Sequence, residues 1–469
     1  MKVKDYLLTF LSILLLFSPG ILQANNGMFM TAYGAESAGM GGATLAVGGV
    51  LDLQSNPAQL ARLRQSVFQA GSAFIFPSLN YKDSNFNPDL SSDYVNNVNS
   101  KKSVFPIPYV GYASPIDDHS GWGIAFYAQG GVGAEFNGIH RNTPGNLTLD
   151  QNFQTLTGMP SLTIPGIGQT HSIGENTYSN FAFMKITPGY ARKFGPLSIG
   201  VGVDFGAGKL TWNWTFTDPS LSANLPGAGY RYQSRLAYSL NAKVGAAFEI
   251  SEKWTAAYSY TSIAKLPIDG SISVNEGDPR YFRRAGVSAS LSMPEQHFAG
   301  LAYKSGPLTI GFQIGYIKWA GVLRTMNFIL DMPWVATPFG VNTNVMTFHT
   351  DWRDQPIYSA GVEYRPGSWA FRTGYNYGPP ASGGSGLNPI FPAISSHHVY
   401  AGLGYRTESK TDIDFALEYA LPSTVQGTVG SDWTMLHAFN GIGAGYGNPY
   451  YSYKLTMREI ILHFGVKVI

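Results

Sequence analysis

Apolar and polar residues alternate along most of the chain. In residues 197–205, LSIGVGVDF, the side chains of Leu197, Ile199, Val201, Val203 and Phe205 fall on one face, and those of Ser198, Gly200, Gly202 and Asp204 on the other. Residues 236–250 repeat the pattern, with Leu236, Tyr238, Leu240, Val244, Phe248 and Ile250 opposite Ser239, Asn241, Lys243, Gly245 and Glu249. It recurs in residues 308–316, 369–377, 413–419 and 460–468. A period of two is that of a β-strand with two unlike faces. About fourteen strands are predicted, at 66–82, 102–114, 121–134, 180–194, 197–215, 231–250, 253–265, 285–304, 307–325, 350–365, 369–378, 397–407, 411–421 and 457–469.

Two settings produce such strands. A soluble sandwich buries the apolar face in a core and leaves the polar face in water. A membrane barrel turns the apolar face to lipid and the polar face to a lumen. Many of the predicted strands exceed the five or six residues usual in soluble sheets and reach the 9 to 11 needed to cross a bilayer. The connections also alternate in length. Gly195-Pro196, Ser251-Glu252, Ser305-Gly306, Pro366-Gly367-Ser368 and Glu408-Ser409-Lys410 are short, whereas 83–101, 135–179, 216–230, 266–284, 326–349, 379–396 and 422–456 are long. Short turns on one side and long loops on the other, with an even strand number, describe a bacterial outer-membrane barrel. The predicted fold is therefore an all-β, roughly fourteen-stranded antiparallel transmembrane barrel over residues 66–469.

The first residues change the compartment. MKVKD followed by the apolar residues 6–17 and a Pro-Gly break reads as a signal peptide, removed near residue 24. No later run is long and apolar enough for a membrane helix. Residues 25–65 precede the first strand, and a barrel of this size encloses more space than its own side chains fill. They are expected to form a hatch within it.

Composition agrees with a membrane barrel. Charged residues are 13% of the chain, about half the usual soluble share, while aromatics reach 14% and glycine numbers 55. The net charge of +2 argues against nucleic acid as a partner. There is no cysteine, so no disulfide, thiolate metal site or lipidated cysteine is expected.

Few motifs carry chemistry. The run SAGMGGATLAVGGVLDLQSNPAQLA, residues 37–61, invites a phosphate-loop reading, but it lacks the lysine and the βαβ context that chemistry requires. Gly383-Gly384-Ser385-Gly386 sits in a long connection and is no nucleophile elbow. His397 and His398 are adjacent on a strand and face opposite sides, so they cannot share an ion. No catalytic residue, metal or cofactor is expected. The tryptophans Trp122, Trp212, Trp214, Trp254, Trp319, Trp352 and Trp369 fall near strand ends and are expected in the interfacial girdles. Gly130, Gly131 and Gly133, at the end of the third strand, permit either a kink or a flexible start to the next loop.

Four stretches resemble the FadL-type outer-membrane transporters of long-chain fatty acids and other hydrophobic compounds. They are Ser37 to Ala43 followed by Asn56-Pro57-Ala58, GWGIAFYAQGGVGAEF at 121–136, LSMPEQHFAGLAYK at 291–304, and DWRDQPIYSAGVEYRPGSWAFRTGYNYGPP at 351–380 continuing into HHVYAGLGYR at 397–406. The resemblance implies a fourteen-stranded barrel with an N-terminal hatch and no catalytic residues. It assigns the hatch motif to Gly39, Gly41, Gly42, Asn56, Pro57 and Ala58, and an inward kink opening a lateral gate to Gly130, Gly131 and Gly133. The chain departs from the pattern at Gly42, where the family's hatches often carry a basic residue. The implied function is passive outer-membrane transport, chiefly of long-chain fatty acids, by a monomer surrounded by outer-membrane lipid. The alternatives are a porin for polar solutes and a barrel lipase or protease.

A fatty acid gains about 0.8 kcal/mol per buried CH₂, and its carboxylate needs a donor if buried. Lys185, Lys209, Lys243 and Arg372 are the lumen cations considered, each of which has a lumen acid such as Asp204, Glu249 or Glu363 as a competing partner. Leu156, Met159 and Leu162, in the weakly charged 135–179 connection, are candidates for the capture surface.

Overall fold

The computed structural model describes residues 26–84, 94–142, 151, 172–217, 229–274, 283–331, 335–336, 342–383, 387, 391–428 and 452–469. One antiparallel sheet of 21 ladder segments closes on itself, its first segment pairing with its last from Phe68↔Val468 to Asp83↔Tyr453. Seven strands consist of two segments separated by a short irregular stretch, so 21 segments make 14 strands.

These are β1 (Val67–Ser84), β2 (Tyr94–Asn99 and Phe105–Pro115), β3 (Ser120–Val132 and Glu135–Asn142), β4 (Ser172–Phe194), β5 (Leu197–Phe216), β6 (Gly229–Ser234 and Ala237–Glu249) and β7 (Trp254–Thr261 and Gly270–Val274). They continue with β8 (Arg283–Ser288 and Gln296–Ser305), β9 (Leu308–Ile317 and Thr325–Leu330), β10 (Val345–His349 and Gln355–Tyr364), β11 (Trp369–Tyr377), β12 (His397–Arg406), β13 (Thr411–Thr428) and β14 (Ser452–Val468). Each predicted strand has its counterpart. The internal breaks in β2, β6, β7, β9 and β10 are not anticipated by the sequence reading.

The alternation sorts as the sequence indicates. Val201, Val203, Phe205, Leu240, Phe312, Ile314, Phe415 and Phe464 are exposed on the outer surface, where lipid takes the place of a core. Trp122, Trp254 and Trp369 stand exposed beside short turns, as expected of a girdle. Trp212, Trp319 and Trp352 contradict the girdle assignment, because all three are buried inside the barrel. The reason for Trp212 is its register: it shares the inward face of β5 with Asp204 and Leu210, both also buried.

The segment from Asn26 to Arg62 lies against the inner wall. It contains one short helix, α1 (Ala35–Gly39), and 3-10 turns at Leu51–Gln54 and Pro57–Arg62. Its seat is made by glycines that face inward on neighbouring strands. Gly311, Gly361 and Gly374 lie side by side on β9, β10 and β11. A Cβ on Gly361 would stand 2.2 Å from the Met40 carbonyl oxygen, and one on Gly374 would stand 2.2 Å from the Gly41 nitrogen. Backbone thus meets backbone with no room for a methyl group. Ion pairs add lateral ties. Lys467 of β14 donates to Glu36 of α1, and Arg62 lies 3.6 Å from Glu249 of β6.

Gly374→Val is expected to unseat the segment while leaving the barrel closed, since a strand tolerates Val but the contact with Gly41 does not. Planar-bilayer recording of the purified variant should then show a larger ionic conductance than wild type. Equal conductance, with the barrel still resistant to detergent at room temperature, would count against this seat.

Candidate functional site

Above the N-terminal segment, toward the long connections, the inward face becomes apolar. Phe181, Phe183, Leu210, Trp212, Tyr232, Leu266, Trp319, Phe328 and Trp352 form one buried cluster that also takes in Met28, Phe29 and Val132. The aromatic rings are in contact. Trp212 stacks on Tyr232 at 5.5 Å, Phe328 meets Tyr232 edge-on at 5.0 Å, Trp319 meets Trp352 at 4.9 Å, and Phe29 lies 5.0 Å from Trp319. Such a surface binds by area and shape, without directional bonds. It runs from the N-terminal segment to the inner side of β3 at Val132.

At β3 the wall is broken. β2 and β3 pair from Pro115↔Gly121 to Tyr109↔Tyr127, and there the ladder stops. β2 remains bonded to β1 as far as Phe105, and β3 remains bonded to β4 as far as Val132. Beyond it the two strands meet again where the Lys101 N–H donates to the Glu135 carbonyl at 2.9 Å. Residues 102–108 and 128–134 therefore border a window. Burial shows which strand moves. It alternates along β3 as far as Ala128, but residues 129–134 are all buried, so this stretch has left the wall for the interior. A register shift between Ala128 and Gly130 and a φ of 125° at Gly130 mark the bend. The freed Gln129 carbonyl accepts from Tyr33 Oη at 3.0 Å and from the Met30 N–H.

A second interruption separates β8 and β9 between Gln296↔Ile317 and Ser288↔Ile329. Leu291, Met293, Trp319 and Leu323, all buried, fill it from inside. The window between β2 and β3 has glycines where that one has large side chains.

The expected site residues distribute as follows. Gly39, Gly41 and Gly42 form the close contacts of the N-terminal segment; a Cβ on Gly42 would stand 2.3 Å from the Thr31 carbonyl oxygen, and Gly42 has φ of 76°. Asn56 caps the 3-10 turn that begins at Pro57, its Oδ1 accepting from Ala58 N at 3.1 Å and its Nδ2 donating to the Ala246 carbonyl of β6 at 3.1 Å. Gly130, Gly131 and Gly133 lie in the inward stretch bordering the window. Leu156, Met159 and Leu162 fall outside the described residues.

The lumen cations do not face the apolar cluster. Lys185 lies 2.9 Å from Asp204, Lys243 donates to Gln54 and lies 3.7 Å from Asp204, and Arg372 bridges Glu363 at 2.6 Å and Asp414 at 2.7 Å. Lys209 corrects the sequence reading outright. It shares the outward face of β5 with Val203 and Phe205, one residue out of phase with Asp204. A polar group not anticipated is Glu418 on β13. It accepts from Thr31 of the N-terminal segment at 3.0 Å and from Tyr400 at 3.0 Å, and His398 and His463 lie 3.0 and 2.9 Å away. The alternation of β13 places Glu418 inward with Asp414 and Ala416, which was the available signal. No group of metal-ligating side chains occurs among the described residues.

Between the N-terminal segment and the wall lies a cavity of about 70 Å³, lined by Thr31, Ser37, Thr44, Asp52, Gln129, Gln313 and Asn376 with Phe29 at its apolar side. Burial pushes the Asp52 carboxyl up to about 7, against the hydrogen bond it accepts from Thr44 at 3.0 Å. Glu36 goes the other way. Burial raises it, but Lys467 and Arg372 outweigh that and hold it below the ordinary range. Asp52 binds its proton more tightly seated than released, so its contribution to seating is fullest below about pH 4 and is lost as the pH rises to about 7. Glu36 contributes above its ordinary range and weakens only in stronger acid. The conductance of wild-type protein is therefore expected to rise between pH 4 and 7, by up to about tenfold per unit in the release equilibrium. Asp52→Asn should flatten that rise; a wild-type slope in the variant would assign the pH dependence elsewhere.

The family described as outer membrane protein transport protein (OMPP1/FadL/TodX) matches residues 22–432. A long-chain fatty acid transport protein of Escherichia coli O6:H1 is 23% identical over 425 residues, covering 84% of this chain and 87% of its own. Among solved structures, a FadL homologue of Pseudomonas aeruginosa superposes with a TM-score of 0.66 at 13% identity, covering 94% of this chain and 99% of its own. The toluene transporter TodX of Pseudomonas putida superposes with a TM-score of 0.63 at 16% identity, covering 93% and 98%. The family match spans far more than half of the chain, and the closed barrel agrees with it: this protein belongs to the OMPP1/FadL/TodX family of outer-membrane transport proteins, and it is a transporter, not an enzyme.

Proposed function

We propose that this protein carries hydrophobic compounds, long-chain fatty acids among them, across the outer membrane passively, and that the cargo leaves sideways between β2 and β3. The observation that carries the reading is the continuity between the apolar cluster and the window, since Val132 belongs to both. Cargo captured among the long connections would pass along Trp212, Phe328 and Trp319 to Phe29, where the N-terminal segment blocks the route along the axis. The remaining way out is past Val132 into the lipid. A hydrophobe gains free energy at each stage from leaving water, about 0.8 kcal/mol per buried CH₂, so no energy source is needed. The printed cargoes of the relatives, a long-chain fatty acid in one and toluene in another, are both hydrophobic. We assign residues 1–24 to the signal peptide and residues 25–65 to the hatch, and take the working unit to be a monomer in outer-membrane lipid.

The lateral route is tested by blocking the window. The chain has no cysteine, so Ala128→Cys gives a single attachment point at its border. A bulky methanethiosulfonate reagent at this position should reduce oleate uptake at least fivefold in cells lacking their own transporter, with recovery on reduction. The same reagent at Ala256→Cys, on the outer face of β7, should leave uptake unchanged. Undiminished uptake with the Ala128→Cys thiol fully modified would show that cargo leaves by another path.

A further inference from the structure

The bend in β3 explains why one strand leaves the wall. It does not explain why β2 fails to follow and close the seam. The answer lies in the sequence of β2 beside the window, Phe105-Pro106-Ile107-Pro108. Proline brings no N–H to a ladder. β2 nonetheless pairs with β1 without interruption from Phe105↔Ile75 to Ala113↔Val67. In an antiparallel ladder the N–H groups of alternate residues point to opposite neighbours. An unbroken ladder through Phe105 and Ile107 therefore requires these odd positions to bond β1. Pro106 and Pro108 then face β3, and the edge they present to the window has carbonyls but no donors.

The native register shows what this costs a closed seam. Continuing the ladder beyond Tyr109↔Tyr127 sets Pro108 against Ala128 and Pro106 against the bulge that follows, where Gly130 is already paired with Phe183 of β4. The even positions of β2 form the hydrogen-bonded pairs of the β2–β3 ladder, since the Ile116 N–H donates to the Ser120 carbonyl in the same register. The Pro108–Ala128 pair should exchange two bonds and would keep only one, from the Ala128 N–H to the proline carbonyl. The carbonyl of Ala128 would be left without a donor, which inside a membrane wall is unfavourable. Closure thus forfeits half of its bonds at the position where it would begin, and Pro106 brings no donor at the next.

We propose that Pro106 and Pro108 are positioning residues that hold the seam open, so that the window is a standing feature of the wall and not a transient opening. The bend in β3 and the prolines of β2 are then complementary: one strand withdraws and the other has no donors to draw it back. The use of the window by cargo rests on the lateral-exit reading; the state of the seam does not.

The experiment replaces both residues in the full-length protein, Pro106→Val with Pro108→Val, and reads the seam directly by amide hydrogen exchange. In the variant the amide of Ala128 and the two new valine amides should be protected, with exchange at Ala128 slowed at least tenfold relative to wild type. Oleate uptake should fall at least fivefold at equal amounts of folded barrel. Slowed exchange with unchanged uptake would uphold the role of the prolines and overturn the lateral route. Unchanged exchange in a folded variant would overturn the role of the prolines, even if modification at Ala128→Cys stops uptake. Should the double variant fail to fold, Pro108→Val alone adds the bond next to the last native pair and is read the same way at Ala128.

Discussion

In the hydrocarbon of a membrane there is no water to satisfy a backbone N–H or C=O, so a strand in the wall must be paired on both sides. The rest of this structure depends on that constraint. It makes the sheet close, with β1 bonded to β14 along nearly its whole length. It also makes any opening in the wall a feature that needs a local cause. The window between β2 and β3 has causes on both banks. On β3, Gly130 adopts a backbone conformation that side chains disfavour, and the Gln129 carbonyl finds Tyr33 and Met30 instead of a neighbouring strand. On β2, two prolines face the gap. The break between β8 and β9 contains Pro294 and Gly321, but it is filled from inside by Trp319 and its neighbours.

The interior divides by the same logic into two levels. Near the short turns, polar and charged groups are buried, and each needs partners. Arg372 has Glu363 and Asp414, Lys185 has Asp204, and Glu418 gathers His398, His463, Tyr400 and Thr31. Thr31 belongs to the N-terminal segment, as do Gln54, which accepts from Lys243, and Glu36, which accepts from Lys467, so the network fixes the segment as well as the wall. The inward glycines let its backbone approach close enough to take part. Near the long connections the lining is aromatic and aliphatic, and no cation of the lower level reaches it. The boundary runs through Phe29, which packs on Trp319 above and lines the polar cavity below.

Much of the fold was legible in the sequence, because a two-residue period and turn length are local signals. The faces of β5 and β6 follow from their alternation, and the short turns mark one end of the barrel. What was misread required the phase of the alternation to be carried further along a strand. Counting from Asp204 places Lys209 outside and Trp212 inside, yet one was read as a lumen cation and the other as a girdle residue. The breaks in β7, β9 and β10 escape the sequence because the partners of these stretches, such as Met293 for Ala264, are remote in sequence. The glycine seat was invisible for a related reason: Gly361 and Gly374 are ordinary strand glycines until Met40 and Gly41 are placed against them. The resemblance assigns a kink of β3 to Gly130, Gly131 and Gly133, but nothing local to β3 draws attention to the prolines of β2.

The central claim is that hydrophobic cargo moves through the wall and not along the barrel axis. A crystal structure of the protein soaked with a brominated long-chain fatty acid tests it most directly, because bromine reports its position by anomalous scattering. Bromine density beside Val132 and in the gap between residues 102–108 and 128–134 is the predicted result. Bromine density on the axis below the N-terminal segment, among Glu36, Arg372 and Lys467, would contradict it.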